Sequence, residues 1–127
     1  MHTSVKDFEE AAKGRLAKLS KDYYYSAANA MVSLRDSEAQ FDRLKLKQAA
    51  GVDPDKFEGL QTETMGIKIP SPICIAATAF HRMAHPDGEE ATAKAAHKTQ
   101  TPMMLSNWAS TPLEVVASHS PENLKSF

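Results

Sequence analysis

Between Gly66 and Phe127 short apolar runs alternate with helix-forming stretches, and that alternation permits few architectures. Ile67-Lys68-Ile69 has the period of a half-exposed strand, and Pro70-Ser71-Pro72 stops it. Ile73-Cys74-Ile75-Ala76 is apolar on both sides, the pattern of a strand covered on both faces, with Cys74 as a buried small hydrophobe. His85-Pro86-Asp87-Gly88-Glu89-Glu90 opens a helix with acids in its first turn. Ala91 to Ala96 favours the helix, and Lys94, His97 and Lys98 place positive charge toward its end, as the helix dipole prefers. Pro102-Met103-Met104-Leu105 predicts a second apolar strand whose methionines fill a core, ended by Ser106-Asn107-Trp108. Thr111 as cap, Pro112 at the first helical position and Glu114 at the third predict another helix over Leu113 to Ser118. Lys125-Ser126-Phe127 reads as the first residues of a third strand. Strand, helix, strand, helix, strand in that order makes an α/β fold of parallel strands joined by right-handed crossovers.

Such strands need neighbours on either side, and a closed barrel of eight strand–helix units takes roughly 250 residues. A chain of 127 residues is then either a small open sheet or a fragment.

Before Gly66 the pattern is helical. Val5, Phe8, Ala12, Leu16, Leu19 and Tyr23 recur at threes and fours, one face of a helix that Thr3 or Ser4 can cap, with Lys13, Arg15 and Lys18 mostly off that face. A second helical stretch is expected through Ala27 to Leu34. Phe41, Leu44 and Leu46 carry apolar character toward Gly51, and Gly51 to Gly59, with Val52-Asp53-Pro54-Asp55 inside it, reads as a turn-rich connection.

Fifteen basic against 16 acidic residues leave a formal charge of −1, so no general field draws nucleic acid or anionic lipid, and no nucleic-acid partner is expected. The longest apolar run, Pro72 to Phe80 broken by Thr78, is far short of a membrane span. One cysteine makes no internal disulfide, and no secretory apolar core follows the first residues, so an intracellular home is expected. His81 and His85 are four apart but lack the glutamate of the zinc-protease pattern and a third ligand, so no metal is expected.

Ala76-Ala77-Thr78-Ala79 leaves bare backbone directly after a strand. Such backbone lets a flat ring approach the peptide N–H groups, or it merely packs closely at a strand end. By their types alone Tyr23, Tyr24 and Tyr25 read as core residues at a helix end, Trp108 likewise as core, and Ser106 as a helix or turn cap.

Asp22-Tyr23-Tyr24 with Ser26, Phe41 and Arg43, Gly66 with Pro72-Ile73, Ala77-Thr78-Ala79, Arg82-Met83-Ala84-His85-Pro86 with Gly88-Glu89, Met104-Leu105-Ser106 with Trp108-Ala109, and Glu114-Val115-Val116-Ala117 form a further pattern. Together they resemble the N-terminal portion of the FMN-dependent 2-hydroxy-acid oxidases, the glycolate oxidase family. The resemblance implies that residues 1–127 are the N-terminal part of an FMN-dependent hydroxy-acid dehydrogenase domain. Residues 1–60 would form its helical segment, and 61–127 the first two strand–helix units of an incomplete TIM (β/α)8 barrel.

It further implies FMN as cofactor, with the main chain of Ala77, Thr78 and Ala79 along the ring and Ser106 in contact with it. Tyr23 would bind the substrate carboxylate and Trp108 line the substrate pocket. The implied reaction oxidises a small 2-hydroxy acid to a 2-oxo acid, with hydride passing to flavin and oxygen as electron acceptor giving peroxide. A homo-oligomer and a peroxisomal or cytoplasmic home follow from the same likeness, without a targeting signal in this chain. Ala27 stands where the family usually has glycine, and Asn107 where it has a second serine. None of the five histidines matches the family's base, so no catalytic residue is assigned and the chain alone is expected not to turn over hydroxy acids. A non-catalytic half-barrel pairing through its open sheet edge is the competing expectation.

Overall fold

Ser4 starts the first helix through a reciprocal cap. Its hydroxyl accepts the Asp7 N–H at 3.2 Å, while the Asp7 carboxylate accepts the N–H groups of Ser4 and Thr3 at 3.0 and 2.7 Å. Ser4→Ala is expected to cost this helix about 1 kcal/mol and to speed amide exchange at Asp7 and Phe8. Unchanged exchange there would contradict the cap.

The computed structural model describes residues 3–47, 51, 53–56, 59–64, 66–119 and 125–126, in two units, Met1–Val52 and Asp53–Phe127. In the first unit, α1 (Val5–Arg15) stops where Leu16 and Ala17 turn extended, with ψ of 141° and 156°, and α2 (Lys18–Tyr25) begins afresh. Two extended residues break the hydrogen-bond ladder, so the single helix expected from Val5 to Tyr23 is two. The Tyr25 hydroxyl donates to the Glu9 carbonyl at 3.5 Å, and Lys13 Nζ lies 5.2 Å from the Tyr25 ring centre, tying α2 to α1. The next helix, α3, is Val32–Arg43 rather than Ala27 to Leu34. Left-handed Asn29 (φ 50°) and Met31 (φ 56°) hold the connection out of the helix.

The apolar face expected on these helices is not buried: Val5 is 87 % and Phe41 85 % exposed, and Ser20 is the buried residue of α2. Periodicity reports an apolar stripe but not what covers it.

In the second unit a single helical turn, Pro54–Lys56, lies in the expected turn-rich connection, of which Val52, Phe57 and Glu58 lie outside the described residues. Then β1 (Thr62–Thr64) pairs antiparallel with β2 (Ile67–Ile69), Thr62 opposite Ile69 and Thr64 opposite Ile67. Gly66, at φ 77°, supplies the left-handed backbone the turn between them needs.

The parallel array follows. The Ile75 N–H donates to the Pro102 carbonyl at 2.8 Å, and the Met104 N–H to the Ile75 carbonyl at 2.9 Å, a parallel bridge between Ile75 and Met103. On its other side β3 (Met103–Met104) pairs parallel with β4 (Lys125–Ser126). Phe127, expected to continue β4, lies outside the described residues. The strand expected over Ile73 to Ala76 is reduced to this one bridged residue. Ile73 is 72 % and Met104 43 % exposed, and Cys74 is exposed too. Apolarity on both sides marks a strand that requires two covers, and the described residues do not supply them here.

Two helices follow the first two parallel segments, α4 (Gly88–Thr99) after Ile75 and α5 (Leu113–Ser118) after β3. They carry most of the core, Ala93 and Ala96 at 1 % exposure and Val116 at 7 %, joined by Ile69 of β2. Gln100, at φ 54°, ends α4, and the Thr101 N–H closes back on the Ala96 carbonyl at 2.9 Å. Thr111 is not the cap of α5. Pro112 occupies that position, with no side-chain cap bond. The Thr111 hydroxyl is drawn instead to the Glu89 carboxylate at 2.8 Å, a charged and stronger acceptor. Among the described residues no helix is long and apolar enough to cross a membrane.

Candidate active site

Two loops leave neighbouring parallel segments at the same end of the sheet, one after Ile75 and one after β3. They are bonded to each other: the Phe80 N–H donates to the Trp108 carbonyl at 3.0 Å, and the two rings stack with centres 6.0 Å apart and planes 22° from parallel. In the first loop Ala77 and Thr78 are exposed and Ala79 is half-buried, none of them helical. The Thr78 hydroxyl donates to the Ala76 carbonyl at 3.1 Å, folding that side chain back along its own loop. Among the described residues, the N–H groups of Ala77, Thr78 and Ala79 meet no backbone acceptor. In the second loop Ser106 Oγ accepts the Trp108 N–H at 3.1 Å, leaving its hydroxyl proton to donate, and Trp108 is 61 % exposed. A flat ring with acceptor atoms on its edge fits this donor set: peptide N–H groups flanked by two methyls and a threonine folded back on its own loop, with a hydroxyl on the neighbouring loop.

Tyr23 belongs to the first unit. It is on the last turn of α2, 39 % exposed, edge-to-face with Tyr24 at 5.4 Å, and its carbonyl accepts the Ser26 hydroxyl at 3.3 Å. Thus the structure brings Trp108 together with the turn ending at Phe80, whereas Tyr23 stands on a separate unit. His81 and His85 are engaged in local bonds: His81 Nδ1 lies 3.0 Å from the Thr92 hydroxyl, and His85 Nδ1 accepts the Asp87 N–H at 3.2 Å. Among the described residues no three of His, Cys, Asp and Glu gather as a metal site.

Beneath the loops lies a group to which the sequence assigned only a place in the first turn of a helix and in the family pattern. Glu89 is fully buried at the start of α4. Its carboxylate accepts the His81 N–H at 3.1 Å, the Ser110 N–H at 2.8 Å, the Ser110 hydroxyl at 2.9 and 2.7 Å, and the Thr111 hydroxyl at 2.8 Å. Burial by itself would raise its pKa, but the N–H and hydroxyl of Ser110 and the hydroxyl of Thr111 outweigh it and hold the carboxyl down to about 2. Arg82 adds a second layer. Its N–H donates to Ser110 Oγ at 3.2 Å and its guanidinium reaches Thr111 Oγ1 at 3.4 Å and Glu90 at 3.3 Å, while Glu90 is met by His119 at 3.0 Å. A signal for Glu89 was present in the sequence: it falls on the stripe of Ala93 and Ala96, at i, i+4 and i+7, where an acid is out of place unless it is bonded.

Residues 12–126 match the family of FMN-dependent dehydrogenases. Human 2-hydroxyacid oxidase 1 is 42 % identical over 126 residues, 95 % of this chain and 32 % of that protein. Maize glycolate oxidase 1 is 40 % identical over 119 residues, 94 % of this chain and 32 % of its own length. The recombinant flavin-binding domain of baker's yeast flavocytochrome b2 superposes with a TM-score of 0.88 at 29 % identity, over 94 % of this chain and 32 % of that one. The chain therefore spans about a third of the length of the curated relatives it matches. The fold it shares with this solved relative and the family match over nearly its whole length agree with the motifs, and the chain belongs to the FMN-dependent dehydrogenase family.

Proposed function

We propose that this chain supplies the first flavin-facing and substrate-facing loops of an FMN-dependent oxidase that converts small (S)-2-hydroxy acids to 2-oxo acids. Its residues 1–60 are then the helical segment, and 61–127 the first two strand–helix units of a TIM barrel. The observation that carries the reading is the pair of bonded loops at one end of the parallel array, Ala77–Ala79 on one and Ser106 with Trp108 on the other. Barrel enzymes assemble their chemistry at that end of the strands.

FMN, when bound, provides the hydride-accepting centre. The chain's own residues then have separate tasks. The N–H groups of Ala77, Thr78 and Ala79 and the Ser106 hydroxyl hold the ring edge. Trp108, stacked on Phe80, walls the substrate side, and the Tyr23 hydroxyl donates to the substrate carboxylate. Oxygen as acceptor, a homo-oligomeric assembly and a peroxisomal or cytoplasmic home complete the proposal.

The test joins this chain to the C-terminal two thirds of maize glycolate oxidase 1 and purifies the product. Yellow protein whose flavin absorbance bleaches anaerobically on addition of glycolate or lactate is expected, with peroxide formed when air is readmitted. A folded product that carries no flavin, or a flavin that hydroxy acids leave oxidised, would overturn the proposal.

A further inference from the structure

We propose that Glu89 is a positioning residue, which grips the backbone of both loops at once and so sets where the Ala77–Ala79 turn lies relative to Trp108. This rests on the functional reading of those loops given above. Three observations carry it.

The first is where the carboxylate reaches. Oε1 takes the N–H groups of both His81 and Ser110, so one atom bridges the two loops through main chain. Side-chain hydroxyls of Ser110 and Thr111 complete the two oxygens. The second is what lies next to the gripped residues. His81 directly follows Phe80, and Ser110 is two residues beyond Trp108, so Glu89 anchors the far side of the Phe80–Trp108 bond. The third is strain. Phe80 is left-handed, φ 53° and ψ 49°, a conformation unfavourable for an L-residue and stable only where neighbours over-determine it. Anchoring His81 fixes the peptide just after Phe80, and the Trp108 carbonyl holds its N–H. An alanine, as at positions 93 and 96 on the same stripe, would pack the helix without joining the loops.

Three variants separate positioning from packing. Glu89→Leu keeps bulk and removes both oxygens. Glu89→Gln keeps one carbonyl oxygen for the two N–H groups, and Glu89→Asp keeps the charge but withdraws it by one methylene. Trp108 is the sole tryptophan of the 127-residue chain, so its near-ultraviolet circular dichroism reports the loop directly without flavin.

Well below the unfolding midpoint, Leu and Asp are expected to lose most of the folded-state Trp108 signal, and Gln to retain it. In the chain completed as above, the FMN Kd should rise at least tenfold for Leu and Asp and stay within about twofold for Gln. A folded Leu variant with wild-type Trp108 signal and flavin affinity would overturn the inference. Should Leu fail to fold, an Asp variant unchanged in both readouts would do the same. If the completed wild-type chain binds no FMN, the functional reading fails, and the Trp108 signal still decides whether Glu89 positions the loops.

Discussion

Glu89→Ala is expected to lower the stability of the second unit by about 3 kcal/mol. The substitution strands the part-buried N–H groups of His81 and Ser110 and deprives two hydroxyls of a charged acceptor. For a domain of this size that is a fall in thermal midpoint of roughly ten degrees or more. The same carboxylate gives stability a pH dependence. Its pKa is lowered from 4.5 to about 2 in the folded chain, so its contribution is complete above about pH 4.5 and is lost as pH falls toward 2. After allowance for solvent reaching the exposed Ser110, the loss is on the order of 2 kcal/mol. Urea unfolding at a series of pH values should show this drop in the parent and a flatter profile over the same window in Glu89→Ala. Identical profiles in the two would contradict the bonding described for Glu89.

Gly88→Ala is expected to cost at least about 2 kcal/mol, combining left-handed backbone with overpacking. Gly88 has φ 50°, and a Cβ placed there would lie 2.5 Å from Arg82 Cγ and 3.3 Å from the Arg82 nitrogen. Arg82 Cγ can clear the methyl only by rotating about its Cα–Cβ bond, which would carry the guanidinium away from Thr111 and Glu90, and the Arg82 nitrogen is fixed in the backbone. Gly14→Ala is the matched control. Gly14 lies within α1 with nothing inside 4 Å of the added methyl, and relief of its helix penalty should raise stability by about 0.5–1 kcal/mol. Equal effects at the two glycines, measured by thermal unfolding, would contradict the packing at Gly88.

Local chemistry was legible in the sequence where the structure obeys local rules. Ser4 caps α1, the Ala-rich run is α4, and apolar Met103-Met104 became a strand parallel to its neighbours. Thr62-Glu63-Thr64 gave no strand signal, because its pairing with Ile67–Ile69 is supplied by backbone and turn rather than by an apolar face. The break at Leu16-Ala17 escaped notice because the apolar period runs straight through it.

The site divides the same way. Ala77-Thr78-Ala79 and Trp108 could be singled out by family motif, but the bond from Phe80 to Trp108 spans 28 residues and no spacing rule reaches it. Glu89 stands in the first turn of α4 as the helix dipole favours, but its bonding was out of reach for the same reason: its partners Ser110 and Thr111 are 21 and 22 residues away. The exposure of Ile73, Cys74 and Met104 was hidden because a two-faced apolar strand announces its need for cover, not whether cover is present.

Site-resolved amide exchange on the completed chain, with and without FMN, addresses the flavin-facing role of the two loops most directly. Ala77, Thr78 and Ala79 have N–H groups with no backbone acceptor among the described residues, so they should exchange fast without flavin and slow at least tenfold on saturation, together with the segment from Ser106 to Trp108. Protection confined to other parts of the chain, with 77–79 exchanging as fast as before, would contradict it.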